Sequence, residues 1–114
     1  MIAMASDDAL IAVLTSVPDQ DTALALARLL TEQRLAACVK VLSACTSIYR
    51  WKGAIEQAEE IPVVIKTRAA LYGQVEAAIR RMHPYELPEI IAVPVAHGLP
   101  AYLQWVAAET ALQP

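Results

Sequence analysis

A chain of 114 residues has the size of one domain, and 57% of its residues are hydrophobic against 18% charged. So much apolar surface on so small a domain is expected to be buried by self-association. The formal net charge is −3 with no basic block, which argues against nucleic acid as a partner.

Residues 1–8 contain no basic segment ahead of an apolar one, so they read as a short flexible tail rather than a signal peptide, and residues 9–114 read as a single domain. Residues 9–17 are a short apolar run ended by Pro18, the pattern of a buried strand. Asp19 and Asp21 offer helix caps, and Ala23, Leu26, Ala27 and Leu30 fall on one face of the helix that follows. Residues 38–51 are rich in β-branched and aromatic types, Lys52-Gly53 turns the chain, and 54–67 is again extended with Ile61, Val63 and Ile65 alternating. The pair is expected to form a long, bulged hairpin, with Pro62 at a bulge or an edge because it cannot donate to a ladder. Thr67 is placed to cap a second helix, whose apolar stripe is Leu71, Val75, Ala78, Ile79 and Met82 and whose end is Pro84. Residues 89–95 form a fourth strand, and Pro100 opens a last helix carrying Tyr102, Leu103, Trp105 and Val106. The longest run without Asp, Glu, Lys or Arg, 90–108, is broken by Pro94, Gly98 and Pro100, so it is a strand, a turn and a helix rather than a membrane span.

The order β-α-β-β-α-β plus a terminal helix predicts an α+β fold, the ferredoxin-like sandwich, with an antiparallel sheet and both crossover helices on one face. The other sheet face is then uncovered and needs a partner. Cys38 and Cys45 form no CxxC motif and are too few for a disulfide scaffold, so a reducing, cytoplasmic setting is expected.

The chemistry concentrates in "MHPYELPE", residues 82–89. A residue before proline avoids the α region, so His83 leaves the helix just as it ends. Neutral imidazole is a ligand for copper, zinc or nickel, with Tyr85, Glu86 and Glu89 as nearby oxygen donors. His83 equally suits the cap of a helix end, whose partial negative charge it favours. Met82 is open to two readings, a soft ligand for Cu(I) or a core residue on the apolar stripe. The two cysteines, seven positions apart, are either soft ligands or small buried hydrophobes. Tyr49 and Trp51 share a strand face near the hairpin tip, as interface anchors or as packing within the chain. No nucleophile elbow, paired-carboxylate motif or glycine-rich phosphate loop occurs, so neither an enzyme nor an organic cofactor is expected.

The segments "RLAACVKV" (34–41), "SIYRWKGAIE" (47–56), "VVIKT" (63–67), "HPYELPEIIAVPV" (83–95) and "YLQW" (102–105) occur in order. Together they resemble the CutA family of divalent-cation tolerance proteins, over nearly the whole chain. The resemblance implies a homotrimer of ferredoxin-like subunits, similar in architecture to trimeric PII proteins, that binds divalent ions such as Cu(II) in copper tolerance. It also implies His83 as the metal residue. Two positions where some bacterial relatives carry a further histidine and a cysteine are here Met82 and Thr15. One imidazole binds weakly, so Glu59, Glu60, Glu86 and Glu89, with Met82, are the expected helpers. Tyr49, Trp51, Tyr85 and Trp105 are the expected interface residues. The alternatives are a PII-like signalling or small-ligand module and a structural scaffold without metal.

Overall fold

The computed structural model describes residues 9–111; the expected tail at 1–8 and the last three residues of the expected domain lie outside them. Five strands and three helices follow in chain order: β1 (Leu10–Val17), α1 (Gln20–Glu32), β2 (Cys38–Val41), β3 (Cys45–Trp51), β4 (Ala54–Arg68), α2 (Tyr72–Met82), β5 (Ile90–Pro94) and α3 (Pro100–Glu109). The sheet order is β2-β4-β1-β5 with β3 also on β4, and every pairing is antiparallel. This is the ferredoxin-like order: α1 carries the chain from the central β1 to the edge strand β2, and α2 from the central β4 to the edge strand β5.

Side chains in a strand alternate between faces, so the odd positions Ile11, Val13 and Val17 of β1 share a face with Ile61, Val63 and Ile65 of β4. Against that face pack Ala23, Leu26 and Leu30 of α1 and Val75, Ala78 and Ile79 of α2, all buried. Each large aliphatic buried there contributes roughly 1.5–3 kcal/mol. Asp19 caps α1 as its position suggested, its side chain accepting from the Thr22 backbone N–H at 2.8 Å. The helix closes in a Schellman arrangement. Leu35 N–H reaches Leu30 O at 2.9 Å, and Arg34 N–H reaches Thr31 O at 3.1 Å. Arg34 takes the left-handed position, φ 58°, that glycine usually fills.

Three expectations change. The stretch 38–51 is two strands, not one, because residues 42–44 leave the ladder. Between the pairs Val41↔Val63 and Cys45↔Glu60, three residues of one strand face two of the other. Pro62 sits at this bulge. Its carbonyl accepts from Leu42 N–H at 3.0 Å, so the donor it lacks would point into the break. Thr67 does not cap a helix. It stays in β4, fully buried, and its hydroxyl donates to Leu35 O at 2.6 Å, while a 3-10 turn at Ala69–Leu71 leads into α2. The second sheet face is not bare either, because α3 lies over one end of it. Val106 and Thr110 are buried there, and Lys66 Nζ stands 5.9 Å from the Tyr102 ring. The remainder of that face, at Ile91 and Val93, is open.

Beyond the bulge, β3 and the first half of β4 form an arm that turns at Lys52-Gly53, both with positive φ, as a two-residue hairpin turn requires. Register puts Ser47, Tyr49, Trp51, Ala58 and Glu60 on one side of the arm, and Ile48, Arg50, Ile55 and Gln57 on the other. Among the described residues no helix is long and apolar enough to cross a membrane.

Candidate functional site

His83 is the C-cap of α2. Its backbone is extended at ψ 129° ahead of Pro84, while its N–H still reaches Ile79 O at 2.9 Å. The ring therefore turns back under the sheet instead of continuing along the helix, and the residue is buried. Nε2 lies 2.6 Å from Ser16 O at the end of β1, and Nδ1 lies 3.2 Å from Tyr85 N. A carbonyl only accepts and a backbone N–H only donates, so Nε2 carries the proton and Nδ1 is the acceptor. Both nitrogens are used. The Tyr85 ring leans on the imidazole, with centroids 4.6 Å apart.

The chain from Pro84 to Glu89 faces the inner side of the arm across a cleft of about 1030 Å³. Tyr49, Trp51, Ser47 and Glu60 line one wall, Tyr85, Glu86 and Glu89 the other, with Ser16 and Ile90 at the sheet. Glu60 is a buried carboxylate, 8% exposed, on the register position opposite Cys45. Burial, then the charge and hydrogen bond of Glu60, hold the Tyr85 phenol above its ordinary value. Lys52 and Glu86 meet across the mouth at 3.8 Å, but both are well exposed, so the pair contributes little.

The family model of the CutA1 divalent ion tolerance protein matches residues 11–109. This chain belongs to the CutA1 family. It is 39% identical over 98 residues to the divalent-cation tolerance protein CutA of Thermus thermophilus, covering 86% of this chain and 95% of that protein. The crystal structure of CutA from Xylella fastidiosa superposes with a TM-score of 0.87 at 42% identity, covering 93% of this chain and all of that one. A CutA from Archaeoglobus fulgidus, described as a periplasmic divalent cation tolerance protein, superposes with a TM-score of 0.86 at 31% identity, covering 90% of this chain and 99% of that one.

Of the residues expected at a CutA1 metal site, the fold brings Glu60, Glu86 and Glu89 to the cleft. Glu59 pairs with Thr46 and so lies on the outer side of the arm, away from Glu60. The Met82 side chain packs against the core, on the apolar stripe of α2. The Thr15 hydroxyl is buried on the helix-facing side of β1 and has no hydrogen-bond partner among the described residues. No three His, Cys, Asp or Glu side chains among the described residues gather where they could share an ion. The residues present therefore do not fit a preformed Cu(II) site centred on His83.

Of the four expected interface aromatics, Tyr49, Trp51 and Tyr85 line the cleft. Trp105 lies apart on α3, its ring 5.5 Å from that of Tyr102. Cys38 pairs with Lys66 on the second sheet face, and Cys45 pairs with Glu60 on the arm, both as free thiols. Sequence reasoning missed Ser16 and Ser47 at the cleft. Nothing in their spacing marks them; only the strand register does.

Proposed function

We propose that this chain acts as a homotrimer in divalent-cation tolerance, binding rather than catalysing. One observation carries the assembly. Large apolar residues stand exposed on ordered strands: Ile48 at 68% and Ile55 at 62% on the outer side of the arm, and Ile91 at 51% on β5. Side chains of this size on regular strands are what a partner buries. The outer edges of β3 and β5 also end the sheet, and closing a ring of copies would cover such edges. Tyr49, Trp51, Tyr85 and Trp105 are the aromatic anchors of this reading. Light scattering coupled to size exclusion is expected to give three times the chain mass. A monomer at micromolar concentration overturns the reading.

The ion class follows the family, with Cu(II) or another divalent cation as cargo. His83 is not needed as its ligand in this reading. Cytoplasmic residence belongs to the same proposal and rests on the two free cysteines. Fractionation of the native host tests it, and recovery outside the cytoplasm, where the Archaeoglobus relative is described, overturns it.

A second reading has the cleft in its favour. Three aromatic rings and a buried carboxylate around about 1030 Å³ suit a small organic ligand, as in a PII-like module. Thermal-shift screening separates the two. A shift with divalent cations alone supports the first reading, and a shift with a nucleotide or metabolite alone supports the second.

A further inference from the structure

We infer that His83 is a structural bridge in this chain and not a cation ligand, and that its bridging fixes the 84–89 segment that walls the cleft. A neutral imidazole has one N–H and one lone pair. Here the N–H is given to Ser16 O at 2.6 Å and the lone pair receives Tyr85 N–H at 3.2 Å. Coordination through Nδ1 would displace Tyr85 N–H. Coordination through Nε2 would require that nitrogen to lose its proton and leave Ser16 O without it. Either step strands a partly buried polar group. The ring has no room to swing clear, because the residue is 8% exposed, Tyr85 leans on it and Pro84 fixes its backbone.

The surroundings agree. A cation held by one imidazole needs further donors within reach, and the fold withholds them. Met82 is turned to the core, Glu59 lies on the far side of the arm, and among the described residues no three His, Cys, Asp or Glu side chains come together where they could share an ion. What the imidazole does instead is join two elements far apart in the chain. It ties the end of β1 to the first residues after α2, from the interior side. The segment it anchors carries Tyr85, Glu86 and Glu89 to the cleft wall. His83 is thus a positioning residue for that wall. The bridge lies within one chain, so it holds whether or not the chain forms a trimer and whichever ion the assembly handles.

The test reads the ring directly. Nitrogen-15 spectra of the imidazoles in the wild-type protein are expected to show His83 as the Nε2–H tautomer. Its nitrogen shifts should not change as Zn2+ is added to one equivalent per chain. A coordination shift at either His83 nitrogen, saturating at one equivalent, overturns the inference. Two variants give an independent readout. In His83→Gln the side-chain amide can donate to Ser16 O and its oxygen can accept from Tyr85 N–H, so the bridge is rebuilt without an imidazole. His83→Gln is expected to keep a melting temperature near that of the wild type and Cu2+ affinity by calorimetry within twofold of it, whereas His83→Ala melts lower. A tenfold or greater loss of Cu2+ affinity in a folded His83→Gln overturns the inference. If neither variant folds, the wild-type spectra decide it.

Discussion

The guanidinium of Arg34 donates from Nη2 to Ala108 O at 2.9 Å and from Nε to Ala111 O at 3.2 Å, so the residue that ends α1 also closes the end of α3. Arg68 joins from β4, donating from Nε to Thr110 Oγ1 at 2.9 Å and from Nη2 to Thr110 O at 2.8 Å. The last carbonyls of a helix lack intrahelical partners and carry partial negative charge, and two arginines meet both needs. Arg34 does this from a strained backbone. Arg34→Ala loses the bonds and keeps the strain, while Arg34→Gly loses the bonds and relieves it. Denaturant unfolding is expected to rank wild type first, then glycine, then alanine, with glycine above alanine by about 1 kcal/mol. Alanine at or above glycine would refute the strained left-handed role.

Ile48 is 68% exposed on the outer side of the arm, so its substitution leaves the core untouched. Ile48→Asp is expected to shift the assembly toward monomer, with circular dichroism unchanged. The melting temperature of the wild type should rise with protein concentration, and that dependence should weaken in the variant. A variant that elutes as the wild type does would remove the outer arm face from the interface. Trp51→Ala checks the inner face in the same way.

Thr15 presents a buried hydroxyl without a protein partner among the described residues. Valine has nearly the same shape and removes the unmet polar group. Thr15→Val is expected to raise the unfolding free energy by about 1 kcal/mol. A loss of stability would mean that the hydroxyl is bonded in solution.

Two tyrosines bear on alkaline stability. Burial, then the hydrogen bond and charge of Glu76, push Tyr72 up, and burial, then Glu60, pushes Tyr85 up. Tyr72 OH donates to Glu76 Oε2 at 2.9 Å. An acid whose folded value lies above its unfolded value, about 10 for tyrosine, stabilises the fold below the unfolded value. That contribution is lost as pH rises through the folded one. Denaturation midpoints measured across this alkaline range should therefore fall, and fall less steeply in Tyr72→Phe and Tyr85→Phe. Slopes equal to that of the wild type would show that neither phenol is linked to folding.

Much of the fold is legible locally. The strand at β1, the Asp19 cap, the buried faces of α1 and α2, the Lys52-Gly53 turn and the exit at Pro84 are each written in a few consecutive residues, because periodicity, capping and proline geometry act over one or two turns. Within the motif 82–89, residues 84–89 wall the cleft, while Met82 packs on the core and His83 is buried behind them. What His83 does there was not legible. Its ring partner Ser16 is 67 residues away, and a side chain's free lone pair depends on that partner rather than on its neighbours. The same holds for Thr67, which reads as a helix cap until Leu35, 32 residues earlier, takes its hydroxyl. The bulge at Pro62 was legible from its missing donor, but that it would fall opposite 42–44 and divide 38–51 into two strands was decided by register. Local sequence settled which elements form and where they turn. Register and long-range contact decided which polar atoms meet, and those atoms determine whether His83 is a ligand or a bridge.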